Sequence, residues 1–274
     1  MNPEAVPILG VDFTSHPTAK KPLTGAQCRL DGDTLRLETV HRWPSFEDWT
    51  SHLESMPSGW AAHDFPFGLP FQFVEGLGWP KEWSAYVELV RPLGRARFAA
   101  LVRQYASLRP AGDKYHSRAS DRRTGACSPM MVDYTPVGRM FAEGAPRLAR
   151  LDADIRPCRP RDAALHVVEA YPGVLARRFC RSCYKSEARR DPHATERLER
   201  RRQIVDGILS PDLERIYGVK LNLGPVQPEW LIEDPKADTL DAVLCAIQAA
   251  WASRNPLAPC DPNEGVIADP ATYL

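Results

Sequence analysis

Three segments of the chain predict strands. Residues 6–13 and 60–65 are apolar almost throughout, which is typical of strands buried on both faces. The first ends at the polar pair Thr14-Ser15, and the second ends at Pro66. Residues 164–171 end at Pro172 and predict a third strand. We interpret the first two of these segments as buried strands.

A hairpin is predicted between the first two of these strands. Residues 26–30 and 34–40 flank Asp31-Gly32-Asp33, and apolar and polar residues alternate through the second of these segments. Alternation with a period of two, next to a turn rich in Asp and Gly, is the usual pattern of antiparallel strands.

Helical spacing of apolar residues predicts five helices. Ser45, with Asp48 three residues later, is the predicted N-cap of the first. The predicted helices are 46–56, 95–107, 174–183, 194–209 and 236–253. Residues 111–137 are rich in Gly, Ser, Asp and Pro and predict a long irregular loop. A loop of that length in a compact domain is usually functional.

The order of these elements predicts an α/β fold. Hairpin strands come first, then strands alternate with helices, and the last part is mainly helical. A boundary between two domains near 152–161 is one alternative. We favour one domain over 1–274 with a helical and loop insertion at 84–160, because acidic motifs on both sides of this point are expected to act together.

Composition limits the class of protein. The chain has 274 residues, 43% of them hydrophobic, and its formal net charge is zero, which excludes disorder as the dominant state. Its most apolar stretch, 243–252, is shorter than the ~20 residues of a membrane span. The first residues lack the pattern of a signal peptide, and the seven cysteines are an odd number. We therefore expect a cytoplasmic protein without a membrane partner.

Charge is unevenly distributed along the chain. Residues 91–123 hold nine basic side chains against two acids, and residues 177–202 hold ten against four. Residues 227–274 hold eight acids against two bases. The arginine-rich stretches could bind a polyanion, since guanidinium groups bind phosphate in a bidentate way. Alternatively, they form solvated helical faces with ion pairs one turn apart.

Five carboxylates occupy positions that a packed core disfavours. Asp12 and Asp64 end apolar strands, and Glu169 lies near the end of the third predicted strand. Asp238 and Asp241 are three residues apart at the head of the last helix. An unpaired buried carboxylate costs several kcal/mol. Each therefore needs a cation, hydrogen-bond donors or exposure to water.

A shared metal site would satisfy several of these carboxylates at once. Oxygen-only ligands favour Mg²⁺ or Mn²⁺, and two such ions ~3.5–4 Å apart promote attack of water on a phosphodiester. Four of these acids also have a simpler explanation, whereas Asp241, one turn into an otherwise apolar helix, is harder to explain in another way. Asp12 and Asp64 could cap the following turns, Glu169 could lie at the surface, and Asp238 could interact with the helix dipole.

Four short sequences carry a family resemblance. They occur in this order: GVDFTS, HDFPFGLP, VVEAYP and ADTLDAVLCAIQAA. Together they resemble the family called domain of unknown function 429, regarded as predicted nucleases of the RNase H-like fold. The resemblance extends from Ile8 to about Ile267. It implies a single RNase H-like domain, with a mixed five-stranded sheet flanked by helices and a last helix similar to that of RuvC-like junction resolvases.

The resemblance also implies a set of site residues. Asp12, Asp64 and Asp241 would be ligands of two Mg²⁺ or Mn²⁺ ions, with Glu169 and Asp238 as further catalytic acids. The superfamily normally carries one acid in the middle of the chain, so Asp64 and Glu169 compete for that role. We favour Asp64, because it follows a predicted strand directly.

Two basic residues are candidate substrate ligands. Lys185, in Cys-Tyr-Lys-Ser, lies in a short sequence that resembles one of the family and could neutralise a transition-state phosphate. A solvated lysine in a basic stretch is the alternative, which we favour slightly. Arg118, three residues before Asp121, could bind a phosphate beside the metal, although a surface ion pair is the simpler interpretation.

These features together predict a Mg²⁺-dependent nuclease that acts on DNA or RNA. A nucleic-acid-binding protein of the same fold without catalysis is one alternative. A phosphotransferase or ATPase of the actin-like group is another, since Asp12-Phe-Thr-Ser is similar to the phosphate-loop pattern D-x-G-T. Thr14 stands where that pattern requires glycine.

Overall fold

A mixed β-sheet forms the centre of the protein. The computed structural model describes residues 5–186, 191–225 and 227–273. The described residues form one seven-stranded sheet with the order β5-β6-β4-β1-β2-β3-β7. The strands are β1 (Val6–Asp12), β2 (Leu23–Asp31), β3 (Thr34–Trp43), β4 (Gly59–His63), β5 (Asp154–Arg156), β6 (Leu165–Glu169) and β7 (Lys220–Asn222).

The prediction of five strands was wrong in number. The three predicted strands and the hairpin are present: β1, β2 and β3 pair antiparallel, and β4 and β6 run parallel to β1. Two further strands, β5 and β7, pair in parallel at the two edges of this sheet. Each has only three residues. Such a segment is too short to show an apolar period, so its sequence pattern could not reveal it.

Eleven α-helices and one 3₁₀-helix (Pro270–Tyr273) lie within the described residues. The α-helices are α1 (Phe46–Ser55), α2 (Phe71–Gly76), α3 (Trp83–Val90), α4 (Gly94–Ser107), α5 (Ala119–Thr124), α6 (Val137–Leu148), α7 (Pro172–Phe179), α8 (Ala194–Leu209), α9 (Pro211–Tyr217), α10 (Gln227–Glu233) and α11 (Asp238–Ala252). None of the helices in these ranges has the length and apolarity that a bilayer crossing requires.

Several helix predictions are confirmed and others need correction. The Ser45 side chain accepts a hydrogen bond from the Asp48 amide at 3.1 Å, as an N-cap does. The predicted helix 194–209 is confirmed as α8. The predicted helix 174–183 instead begins at Pro172 and ends at Phe179. Its start is displaced because proline is well suited to the first helical position.

The irregular loop predicted at 111–137 contains α5, and α6 begins at its end. Sequence patterns also missed α6 itself, which carries two glycines and Pro146 within the helix. These residues disfavour helix in isolation, so packing must hold α6 in place. A Cβ atom at Gly144 would lie 2.4 Å from the ring of Phe65, which shows how closely α6 packs there.

Helices cover both faces of the sheet. On one face, Leu9, Val11 and Ala61 pack against α1, α2, α3, α4 and α6. On the other face, Ile8 and Ala62 pack against α7, α8, α9, α10 and α11. Residues 84–160 contain most of α3, all of α4 to α6, and β5. Their assignment as an insertion in a single domain stays a prediction.

Helix α11 contacts the sheet directly over β1. A Cβ atom at Gly10 would lie 2.1 Å from the carbonyl oxygen of Ala242 and 2.2 Å from the nitrogen of Ala246. Only glycine permits two backbones to approach this closely. Because Asp12 is two residues after Gly10, and Asp241 directly precedes Ala242, this contact brings the two carboxylates to the same place.

We expect Gly10→Ala to destabilise the protein by about 3 kcal/mol, because a methyl group at this position forces α11 away from β1. Urea unfolding measures the effect. Gly224→Ala is the control, since a Cβ atom at Gly224 has its nearest neighbours at 3.5 Å. Equal unfolding free energies for the two variants would show that the contact between α11 and β1 is not close.

Candidate active site

Three carboxylates meet at one edge of the sheet. Asp12 ends β1, Asp64 directly follows the parallel strand β4, and Asp241 lies in the first turn of α11. One oxygen of each lies within 4.8 Å of the others. The Asp64 amide donates to the carbonyl of Val11 at 2.9 Å, which fixes Asp64 beside Asp12. We call these three residues the acidic triad.

Burial and mutual repulsion make two members of the acidic triad, Asp12 and Asp64, hard to ionise. Burial raises the pKa of Asp12 well above its usual value, and although Lys185 opposes this shift, repulsion from Asp241 and Asp64 adds to it. For Asp64, burial raises the pKa to about 7, again against the effect of Lys185. Three full negative charges at this place therefore require a nearby cation.

Lys185 supplies part of this positive charge. Its ammonium group forms an ion pair with Asp241, and its side chain is 36% exposed. Burial alone would lower the pKa of Lys185. Attraction to the carboxylates of Asp241 and Asp12 has the opposite effect and outweighs burial, so that the pKa lies well above the usual value. The interpretation of Lys185 as a solvated lysine was therefore wrong, because its charge is directed into the site.

Tyr184 positions the carboxylate of Asp241. Its hydroxyl donates a hydrogen bond to Asp241 Oδ1 at 2.6 Å, and the ring is buried. Sequence reasoning missed this residue. The only signal was its place directly before Lys185 in the Cys-Tyr-Lys-Ser sequence.

Asp238 lies close to the acidic triad without joining it. It is the first residue of α11 and lines the same cavity as Asp12 and Asp64. Burial raises its pKa, and repulsion from Asp234 adds to the shift. This cavity, of about 460 Å³, is called the first cavity below.

Glu169 forms a separate buried ion cluster with Arg118 and Asp121. Arg118 donates to Glu169 Oε1 at 2.5 Å and to Glu169 Oε2 at 2.7 Å. It also donates to Asp121 Oδ1 at 2.7 Å. The Phe67 amide donates to Glu169 Oε2 at 2.8 Å. Both oxygens of Glu169 are therefore occupied, and the acid that joins Asp12 and Asp241 is Asp64.

The prediction of a surface ion pair for Arg118 was wrong. The residue is 1% exposed, although it lines the first cavity. A guanidinium has five N–H groups. Glu169, Asp121 and the carbonyl of Glu264 accept hydrogen bonds from all three of its nitrogens. Arg118 therefore has no free donor for a phosphate. Its guanidinium instead holds Glu169, Asp121 and the carbonyl of Glu264 together in the buried cluster.

Many arginines of the two basic stretches form ion pairs, as the second interpretation of these stretches expected. The pairs are Arg91–Glu88, Arg103–Asp133, Arg109–Asp113, Arg197–Asp191, Arg200–Glu196 and Arg202–Glu199. Most join residues three or four positions apart on a helix or turn, where such contacts are usual. The density of basic residues in the sequence therefore overstates the charge that a ligand would meet.

Comparison with known proteins identifies the family. The family described as "Protein of unknown function (DUF429)" matches residues 10–264, which include all of the acidic triad. No curated protein and no solved structure matches the chain significantly. The chain therefore belongs to the DUF429 family of proteins of unknown function.

Proposed function

We propose that the protein is a divalent-metal-dependent nuclease that hydrolyses phosphodiester bonds. The observation that carries this proposal is the acidic triad, in which carboxylates from two parallel strands and a helix start lie within 4.8 Å of one another. The raised pKa values of Asp12 and Asp64 indicate that the charge of Lys185 alone does not compensate the carboxylates at this place. A hard cation bound between them would relieve this repulsion.

The order of the central strands supports an RNase H-like fold as part of this proposal. Five neighbouring strands follow the order β3-β2-β1-β4-β6. The first three are antiparallel and the other two run parallel to β1. A mixed arrangement of this kind supports the RNase H-like fold that the family resemblance implies, although β5 and β7 at the two edges make the sheet seven-stranded.

The residues present fit Mg²⁺ or Mn²⁺. The donor set consists of carboxylate oxygens, which are the ligands that both ions prefer. Asp12, Asp64 and Asp241 would hold one ion, and a second would draw on Asp238. When bound, such ions lower the pKa of an attacking water and stabilise charge on the leaving oxygen.

The chain's own groups orient this chemistry. Lys185, beside Asp241, is placed to neutralise the charge of a reacting phosphate. The Tyr184 hydroxyl holds one oxygen of Asp241, so the other is directed towards Lys185. Glu169 binds the Phe67 amide and thereby fixes the segment that begins with Asp64.

Hydrolysis of end-labelled DNA and RNA oligonucleotides tests the proposal. The purified chain is expected to hydrolyse them with Mg²⁺ or Mn²⁺ and to stop when EDTA is added. Binding without hydrolysis under any of these metals would contradict the proposal and favour a binding protein. Hydrolysis of ATP alone would favour a phosphotransferase or ATPase.

The stability of the protein without bound metal should fall as pH rises from about 4 to about 7. Burial raises the pKa of Asp64 from 3.8 to about 7, so the folded state holds a proton that the unfolded state has lost. The stability that this proton contributes is complete at pH values below the pKa of Asp64 in the unfolded chain. It disappears as pH rises through the pKa of Asp64 in the folded protein. Thermal melting against pH in EDTA measures the effect.

Asp64→Asn is the matched variant for this experiment. It should reduce the pH dependence of the melting temperature, because the amide does not titrate, while Asp12 keeps its own raised pKa. It should also remove most of the stabilisation that Mn²⁺ gives the wild-type chain at pH 8. A variant with the same pH slope as the wild type would contradict the assigned role of Asp64.

A further inference from the structure

A second cavity adjoins the acidic triad. It has a volume of about 300 Å³, and its lining includes Arg177, Arg181 and Asp241. Asp64, Tyr171 and Lys185 line both this cavity and the first. The two cavities therefore meet at the triad, so an extended ligand that occupied both would pass directly over the carboxylates.

Each cavity carries an exposed cation. Lys21 lines the first cavity and Arg181 lines the second. Both side chains are exposed, and neither forms a hydrogen bond or an ion pair with another side chain of the described residues. What sets these two positions apart from other exposed cations is that they line the two cavities that meet at the acidic triad. Free cations beside a cluster of acids suit a ligand with several phosphates, one of them placed at the triad.

An exposed aromatic ring lies at the wall of the first cavity. Tyr134 lines this cavity and is fully exposed. Its backbone is left-handed, with φ of 60°, which is unfavourable for a tyrosine. The preceding residue, Asp133, is held by two hydrogen bonds from Arg103, at 2.9 and 2.6 Å. The loop thus keeps the ring in water at the edge of the site.

We propose that a single nucleic-acid strand crosses the acidic triad from one cavity to the other. Tyr134 stacks on an unpaired base, and Lys21 and Arg181 bind phosphates on the two sides of the bond that is cleaved. The inference rests on the proposed nuclease function. Aromatic stacking combined with a cationic groove is the usual way to bind single strands. A strand that passes through both cavities needs no free end, so cleavage is internal.

Binding measurements test the strand path separately from catalysis. Fluorescence anisotropy is measured in EDTA with labelled single-stranded 12-mers of DNA and of RNA, in the Asp12→Asn background. We expect Lys21→Gln and Arg181→Gln each to weaken binding several-fold. Each should also lower the slope of log affinity against log salt by about 0.7. Tyr134→Ala should weaken binding about tenfold, whereas Tyr134→Phe keeps the stacking and the affinity.

Arg36→Gln is the matched control. Arg36 is exposed on β3 and also lacks a partner among the described side chains. Asp12 of β1 pairs with Thr24 of β2, and Thr24 pairs with Arg42 of β3. Arg36 is six residues from Arg42 along β3, so it lies well away from the acidic triad. This variant should bind as the parent does. Unchanged affinity in either Lys21→Gln or Arg181→Gln would overturn the two-sided path, and equal affinity for a duplex would overturn the single-strand assignment.

Circular single-stranded DNA distinguishes this inference from the proposed function. The wild-type chain with Mg²⁺ should linearise the circle. Degradation of linear strands with intact circles would overturn the strand path and leave the nuclease proposal standing. If the binding results hold and neither substrate is hydrolysed, the strand path is supported and the nuclease proposal fails.

Discussion

Asp241→Asn is expected to lower Mg²⁺-dependent hydrolysis at least about 100-fold. The substitution keeps the size of the side chain and an oxygen that can accept from Tyr184, but it removes one negative charge from the acidic triad. Loss of groups that merely orient metal ligands already reduces activity or affinity about 10- to 100-fold. Loss of a direct ligand should have at least that effect. kcat/KM with a labelled strand is the measurement.

Two variants make this result specific. Asp212→Asn changes an exposed acid of α9 that pairs with Arg215, and it should leave activity unchanged. Asp238→Asn changes a residue of the first cavity outside the triad, and its effect should be smaller than that of Asp241→Asn. A folded Asp241→Asn protein that keeps more than half of the wild-type activity would contradict the role of the triad.

Arg118→Ala is expected to destabilise the protein by about 4 kcal/mol. The substitution leaves Glu169 and Asp121 buried without their cation, and removal of one partner from a buried ion pair typically costs about 3–5 kcal/mol. Glu169 is 2% exposed and Asp121 is 1% exposed, so water cannot replace the lost hydrogen bonds. Urea unfolding at neutral pH measures the loss.

Arg103→Ala is the matched control for this prediction. It also removes an arginine that donates two hydrogen bonds to an aspartate, but both side chains of that pair are 48% exposed. Exposed pairs contribute about 0–1 kcal/mol. If Arg118→Ala lowered the free energy of unfolding no more than Arg103→Ala, the buried cluster of Arg118, Glu169 and Asp121 would not stabilise the fold as we propose.

Elements with a clear period were predictable from the sequence. The alternation in β3, the apolar runs of β1 and β4 and the helical spacing in α8 and α11 all correspond to observed elements. The missed elements lack such a period. β5 and β7 depend on the neighbouring strand that they pair with, and α6 depends on contacts of its glycines with residues distant in sequence.

The candidate site was predictable only in part, for a similar reason. Carboxylates at strand ends and at a helix start indicate Asp12, Asp64 and Asp241, but they indicate Glu169 and Asp238 as well. The choice between Asp64 and Glu169 depends on Arg118, which lies 51 positions before Glu169 in the chain. No local pattern reveals such a partner. The same holds for Gly10, whose importance follows from its contact with α11.

Anomalous diffraction from a crystal soaked in Mn²⁺ tests the central claim most directly. We predict an anomalous peak bound by oxygens of Asp12, Asp64 and Asp241, at about 2.0–2.2 Å from each. Such a peak should be absent in crystals of Asp241→Asn. Manganese bound elsewhere, with Lys185 still paired to Asp241 and the triad free of metal, would contradict the account.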